Sequence, residues 1–141
     1  MNSFVRNSGA VLLGVFAGAA LNMEIIMVSG KIIPLPKSTD IKSAEGLIHG
    51  MHLMEPKHFV VPFIAHALGT FVGATIAALI GSTKKLALAI IVGLVFLLGG
   101  IADANMIPTP LWFTIIDLTL SYLPMAILGF YFSRTFQKKL H

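Results

Sequence analysis

Four ionisable side chains stand within, or at the edge of, long apolar runs: Glu24, His66, Asp103 and Asp117. At membrane depth such a group costs roughly 2.5–3.5 kcal/mol on insertion scales, so it needs a partner or a task. Carboxylates with an imidazole are a workable set for a proton relay, or for holding a metal ion or a small polar ligand. A structural reading is also open. A buried Glu24–His66 pair would join two helices by a charge-assisted hydrogen bond, and Asp117 would do the same with a hydroxyl. A structural pair accounts for two groups but not for three or four.

A second constellation lies in a more polar segment. Glu45, His49 and His52 follow one another at i, i+4 and i+7, which places them on one helix face. His58 follows beyond Pro56, with Met51 and Met54 nearby. Imidazole and carboxylate suit zinc, copper or nickel, and thioether suits cuprous ion. The plainer reading is a solvated helix face with ordinary exposed histidines, since no strict zinc spacing such as H-E-x-x-H is present. The sequence implies no particular cofactor.

The elements that position these residues follow from composition. Of 141 residues, 56% are hydrophobic and 11% are charged, against about 25% charged in soluble domains. The mean hydropathy is +0.88. A chain this short cannot bury so much apolar surface in a water-facing core, and disorder needs the opposite composition. Four stretches are long enough to cross a bilayer as helices, which takes about 20 residues. They cover about 9–30, 58–81, 86–104 and 111–133. Gly81-Ser82-Thr83-Lys84-Lys85 and Pro108-Thr109-Pro110 make short turns between the later spans, so those neighbours should be antiparallel. No linker divides the chain. The expected fold is therefore a single all-α domain, an integral membrane bundle of four transmembrane helices.

Arg6, an apolar run and Ala17-Gly18-Ala19 have the outline of a signal peptide, but the run continues to Val28, which predicts a retained span. Arg6, Lys84, Lys85, Arg134, Lys138 and Lys139 fall on one side of such a bundle with no acid among them. The other side balances Lys31, Lys37, Lys42 and Lys57 against Asp40, Glu45, Glu55 and Asp103. The positive-inside rule then puts both termini in the cytoplasm, and the 31–57 loop and the Asp103–Pro110 turn outside. Within that loop, Asp40 is a candidate N-cap and Pro56 a stop. Ile41, Ala44, Leu47, Ile48, Met51 and Met54 recur at helical spacing between them. They predict a short amphipathic helix of about four turns, lying on the outer surface or capping the bundle.

Depth counting brings the first four residues together. Glu24 lies about six residues below Gly30, His66 about eight below His58 and Asp117 about six below Leu111, with Asp103 at the mouth of its span. At about 1.5 Å per residue all reach the outer third to half of the bundle, where Asn22, Asn105, Thr114, Ser121 and Tyr122 could add hydrogen bonds. The inner half is Leu, Val, Ile, Ala and Gly, so the pattern favours an outward-opening pocket over a channel. Gly14-x-x-x-Gly18 and Gly69-x-x-x-Gly73 are small-residue stripes that let helices approach closely. Their plain reading is a crossing of spans one and two; a homodimer interface is the alternative. Pro62 and Pro124 sit inside spans, and Pro124 should bend the fourth. Trp112 and Phe113 fit an interfacial anchor.

Much chemistry is excluded. The chain has no cysteine, so no disulfide, thiolate metal site or thiol nucleophile. It has no phosphate-cradling glycine loop and no Gly-x-Ser-x-Gly elbow. Its basic residues are spent on topology, which excludes a nucleic-acid partner; the lipid bilayer is the partner the composition implies.

The run Ala65-His66-Ala67-Leu68-Gly69 through Gly73-Ala74 and Ala77-Ala78 is one half of a family-like pattern. The other is Pro108-Thr109-Pro110-Leu111-Trp112-Phe113 followed by Asp117, Tyr122, Leu123-Pro124 and Leu128-Gly129. With Glu24 and Pro34-x-Pro36 they resemble a group of small four-span bacterial inner-membrane proteins. The resemblance implies the topology and carries over no activity, cofactor or site residue. Three functions are then expected, in this order. The first is binding or transport of a small ligand, proton or metal ion in a pocket of Glu24, His66, Asp103, Asp117 and Asn105. The second is a non-catalytic accessory or scaffold subunit of a larger membrane complex. The third, a metal-dependent membrane enzyme, comes last.

Overall fold

The computed structural model describes residues 2–40 and 42–139. All regular structure among them is helical. The first span is α1 (Ser3–Ile32), the loop helix α2 (Ala44–Gly50), the second span α3 (Val60–Ile80) and the third α4 (Lys85–Met106). The fourth is broken into α5 (Leu111–Leu120) and α6 (Leu123–Lys139). Four stretches, with α5 and α6 together forming one, are long and apolar enough to cross a membrane. The first three expected spans sit inside these bounds within a few residues, except that α1 begins at Ser3, where the Asn2 side chain accepts the Phe4 N–H.

Half of α3's apolar stretch is buried, against 11% for α1, so α3 is the central helix and α1 an outer one. α3 packs on α1, α4 and α6. The α1–α3 crossing is made by backbone. A Cβ on Gly73 would lie 2.6 Å from the Gly14 carbonyl oxygen, and one on Gly18 would collide with the Gly69 carbonyl. Lipid supplies no hydrophobic drive between helices, so this close backbone contact is what joins them. Next to it, Ala74, Ala77 and Ala78 of α3 meet Leu88, Ala89 and Val92 of α4 and Ala126 of α6. Thr75 donates to Phe71 O on its own helix and to Gly129 O across the α3–α6 contact.

Six of the ten basic residues gather at one end. Arg6 Nε donates to Ile80 O at 2.7 Å, and Asn7 Oδ1 accepts the Ser82 N–H at 2.9 Å. Lys85 Nζ donates to Gln137 Oε1 at 3.2 Å. Both ends of the described chain and the 81–84 turn therefore share that end.

Two elements differ from expectation. The fourth span does not merely bend. Its helix stops at Leu120, turns at Ser121 and Tyr122, and restarts with Pro124 in the new first turn, where no backbone donor is lost. The loop helix is two turns long rather than four. Ser43, not Asp40, caps it by accepting the Gly46 N–H at 3.0 Å, while Asp40 accepts the Lys42 N–H and the Ser43 hydroxyl. Gly46 and Gly50 weaken helix propagation, and the chain tightens into a 3-10 turn at Met51–Leu53. Ile41, expected on its apolar face, lies outside the described residues. Of that face, Leu47, Met51 and Met54 turn down onto Phe59, Phe63, Phe113 and Ile107. The segment thus caps the bundle rather than lying on it.

Candidate functional site

The end of the bundle opposite the basic cluster holds a cavity of about 250 Å³. Its sides are the last turns of α1 and α4 and the first turns of α3 and α5, and the 44–54 segment covers it through Leu47, Met51 and Met54. Aliphatic, thioether and aromatic side chains dominate its wall. His66 and the buried Asp117 supply ionisable groups in its deeper part, Asp103 lies exposed at its rim, and His58 also contributes to the wall.

His66 is set one turn after Pro62 on α3, and its carbonyl accepts the Thr70 hydroxyl. Its Nδ1 lies 2.9 and 3.0 Å from the two carboxylate oxygens of Asp117 on α5. Asp117 is buried, and its oxygens are otherwise taken by the break between α5 and α6. Ser121 Oγ donates to Oδ1 at 2.9 Å and Tyr122 Oη donates to Oδ2 at 2.9 Å. A helix unbroken through these positions would not turn both side chains back onto the same carboxylate. The Tyr122 ring lies over the His66 imidazole, 5.9 Å between centroids and 26° between planes. Gly100 of α4 provides the seat for the phenol, since a Cβ there would collide with its oxygen.

This arrangement fixes the imidazole. An ionised carboxylate only accepts hydrogen bonds, so Nδ1 is the donor and the ring is oriented through it. Nε2 has no hydrogen-bond partner and is not sealed off, so it faces the cavity as the free acceptor. A histidine held at one nitrogen by a carboxylate, with the other presented to a cavity, can accept a ligand hydrogen or take up a proton.

The structure separates the expected residues. His66, Asp103 and Asp117 line the cavity; Glu24 and Asn105 do not. Glu24 is at the expected depth but on the outside of α1, without hydrogen-bond or ion-pair partner among the described residues. Asn22 and Met23 occupy the cavity side of that turn instead. At 100° per residue, Glu24 is rotated about 200° from Asn22. Asn105 is exposed and donates back to the Ile101 carbonyl at 2.8 Å. The Glu24–His66 pair therefore does not form; Asp117 takes its place.

The loop constellation does not close as a metal centre either. Glu45 and His49 approach to 3.8 Å on the exposed side of α2, with side chains 88% and 78% accessible. His52 falls in the following 3-10 turn, which ends the α-helical register linking the three. No three His, Asp or Glu side chains converge to hold a metal among the described residues. His58, by contrast, is buried and structural. Its Nδ1 accepts the Glu55 N–H at 2.8 Å, and its Nε2 lies 3.1 Å from the Pro34 carbonyl oxygen. It pins the start of α3 to the exit of α1. Sequence reasoning missed that role, and missed Gly100; the Gly99-Gly100 pair inside an apolar span was the available signal for the latter.

No protein-family model, curated protein or solved structure matches this chain.

Proposed function

We propose that the protein is a small polytopic protein of a bacterial inner membrane that binds a small ligand in the capped cavity, with His66 as the group that meets it. The observation that carries this is the His66–Asp117–Tyr122 cluster, which orients an imidazole so that its free nitrogen faces a partly covered, mostly apolar space. Pockets of this composition, with few convergent polar groups, are typical of small-molecule sites. The six basic residues at the opposite end support a cytoplasmic position for that end and an outward-facing cavity. Binding is favoured over conduction. Beneath the cavity the helices close mainly on glycine and alanine, and among the described residues no ionisable side chain is buried there.

The absence of cysteine makes the test simple. A single thiol is placed in the cavity wall as Thr114→Cys, with Leu128→Cys on the outer face of α6 as control. Intact cells and opened membranes are treated with a membrane-impermeant thiol reagent. The cavity thiol should react in both preparations and the control in neither. Reaction only in opened membranes would reverse the orientation. A cavity thiol as inert as the control would end the pocket reading.

One observation favours a second role. Glu24 is an unpartnered carboxylate on the outer face of α1, as expected where a further subunit or a second copy of the chain docks.

A further inference from the structure

Building on the pocket reading, we propose that the ligand is a small organic ammonium: an apolar body with one cationic, N–H-bearing head. The charge inventory leads there. No lysine or arginine lines the cavity, while Asp103 and Asp117 do. Asp117 already takes hydrogens from His66, Ser121 and Tyr122. Asp103 takes none and has no ion-pair partner among the described residues. The cavity thus presents an exposed, unpaired carboxylate at its rim and an acceptor nitrogen, His66 Nε2, in its depth. Both groups call for a hydrogen-bond donor, and the carboxylate calls for a positive one. The remaining wall is mostly apolar and soft, with Asn22, Ser29, Thr109 and Thr114 as its neutral polar residues. Met23, Met51 and Met54 are adaptable thioethers, and Phe59 and Phe113 offer ring surfaces that tolerate a cation nearby. A volume of about 250 Å³ equals roughly eight liquid waters at about 30 Å³ each, so the body is small. An anion would meet the field of Asp103 with no cationic side chain in the wall to offset it, and a fully solvated metal ion would leave the apolar wall unused.

The same cavity thiol reads this out. Purified Thr114→Cys protein is first treated with cationic and anionic methanethiosulfonates. A negative cleft should raise the cationic-to-anionic rate ratio at least tenfold above that of free cysteine. Labelling by an uncharged maleimide is then followed with n-hexylammonium, hexanoate, or zinc chloride present. Hexylammonium should slow labelling at least fivefold where hexanoate does not, and Asp103→Asn should remove most of that protection. Equal protection by hexanoate, protection by zinc alone, or no protection while the thiol remains reactive would each overturn the ammonium assignment and leave the pocket standing. An inert thiol would instead remove the pocket, and the assignment with it.

Discussion

Breaking the contact between His66 and Asp117 gives the sharpest test of how the site is held. His66→Ala and Asp117→Asn are made singly and together, and the coupling energy is taken from the cycle, which cancels what each change does on its own. Two magnitudes compete. Hydrogen bonds to charged groups contribute about 1.5–3 kcal/mol. Interhelical hydrogen bonds in membranes average about 0.6 kcal/mol and reach about 1.7, because the unfolded chain in lipid also finds partners. Asp117 favours the upper figure: its side chain is only 6% accessible and Nδ1 bridges both oxygens at 2.9 and 3.0 Å. His66 favours the lower one, because 18% of its side chain is accessible and cavity water can replace part of what it loses. The expected coupling is therefore about 1.5 kcal/mol, about tenfold in the folding equilibrium. Asp117→Asn alone should cost about 2–3 kcal/mol, since the amide keeps one acceptor and turns a donor toward hydroxyls that had donated to it. Reversible unfolding in mixed micelles can be followed by fluorescence of the single tryptophan, Trp112, which packs edge-on against Phe59 at 5.6 Å. A coupling below about 0.5 kcal/mol would refute the claim that this pair orients the imidazole.

Two further substitutions test the frame around the site. Gly18→Ala places a methyl group against the Gly69 carbonyl and 2.9 Å from the Phe96 ring. It should destabilise by about 1–3 kcal/mol, and an unchanged unfolding midpoint would show that the α1–α3 crossing is looser than described. Glu24→Gln, on the outer face of α1, should leave the midpoint of the isolated chain within about 0.5 kcal/mol. It should lower co-purification of any subunit or second copy that docks there; a larger loss of stability in the isolated chain would mean that Glu24 has a partner within the chain.

The bundle was legible because its signals are long. Apolar stretches, basic clusters and glycine stripes each extend over many residues, and an error of a few positions changes little. The site depended on shorter signals. Depth along a helix follows from counting, and it placed Glu24, His66 and Asp117 at one level. Direction around a helix depends on which face packs inward. The glycine stripe of Gly14 and Gly18 fixes that face, and continuing it one more turn reaches Asn22, not Glu24. The information was thus present, in the packing motif rather than in the polar residues. The loop helix failed for another reason. Its apolar spacing was correct, and Met51 and Met54 do point into the bundle, but two glycines ended the α-helical register before His52 could join Glu45 and His49.

The cavity is a consequence of where small residues stop. From Gly69 to Ala78, α3 presents glycine, alanine and threonine to its neighbours, and the helices close until backbone meets backbone. The 3-10 turn before α3 and the first turns of α3 present Phe59, Phe63 and His66, too large for that approach, and the neighbours must diverge. Divergence leaves space that side chains of the span ends do not fill, and the 44–54 segment covers it. His58 ties that cover to the Pro34 carbonyl at the exit of α1, so the lid and the widened end are fastened together. Leu47, Met51 and Met54 of that cover contact the cavity end and not the glycine and alanine contacts of the lower bundle. Passage beyond His66 would require α1 and α3 to part along the Gly18–Gly69 contact. The backbone contact at Gly18–Gly69 thus closes the floor of the cavity, while its cover is only the short 44–54 segment.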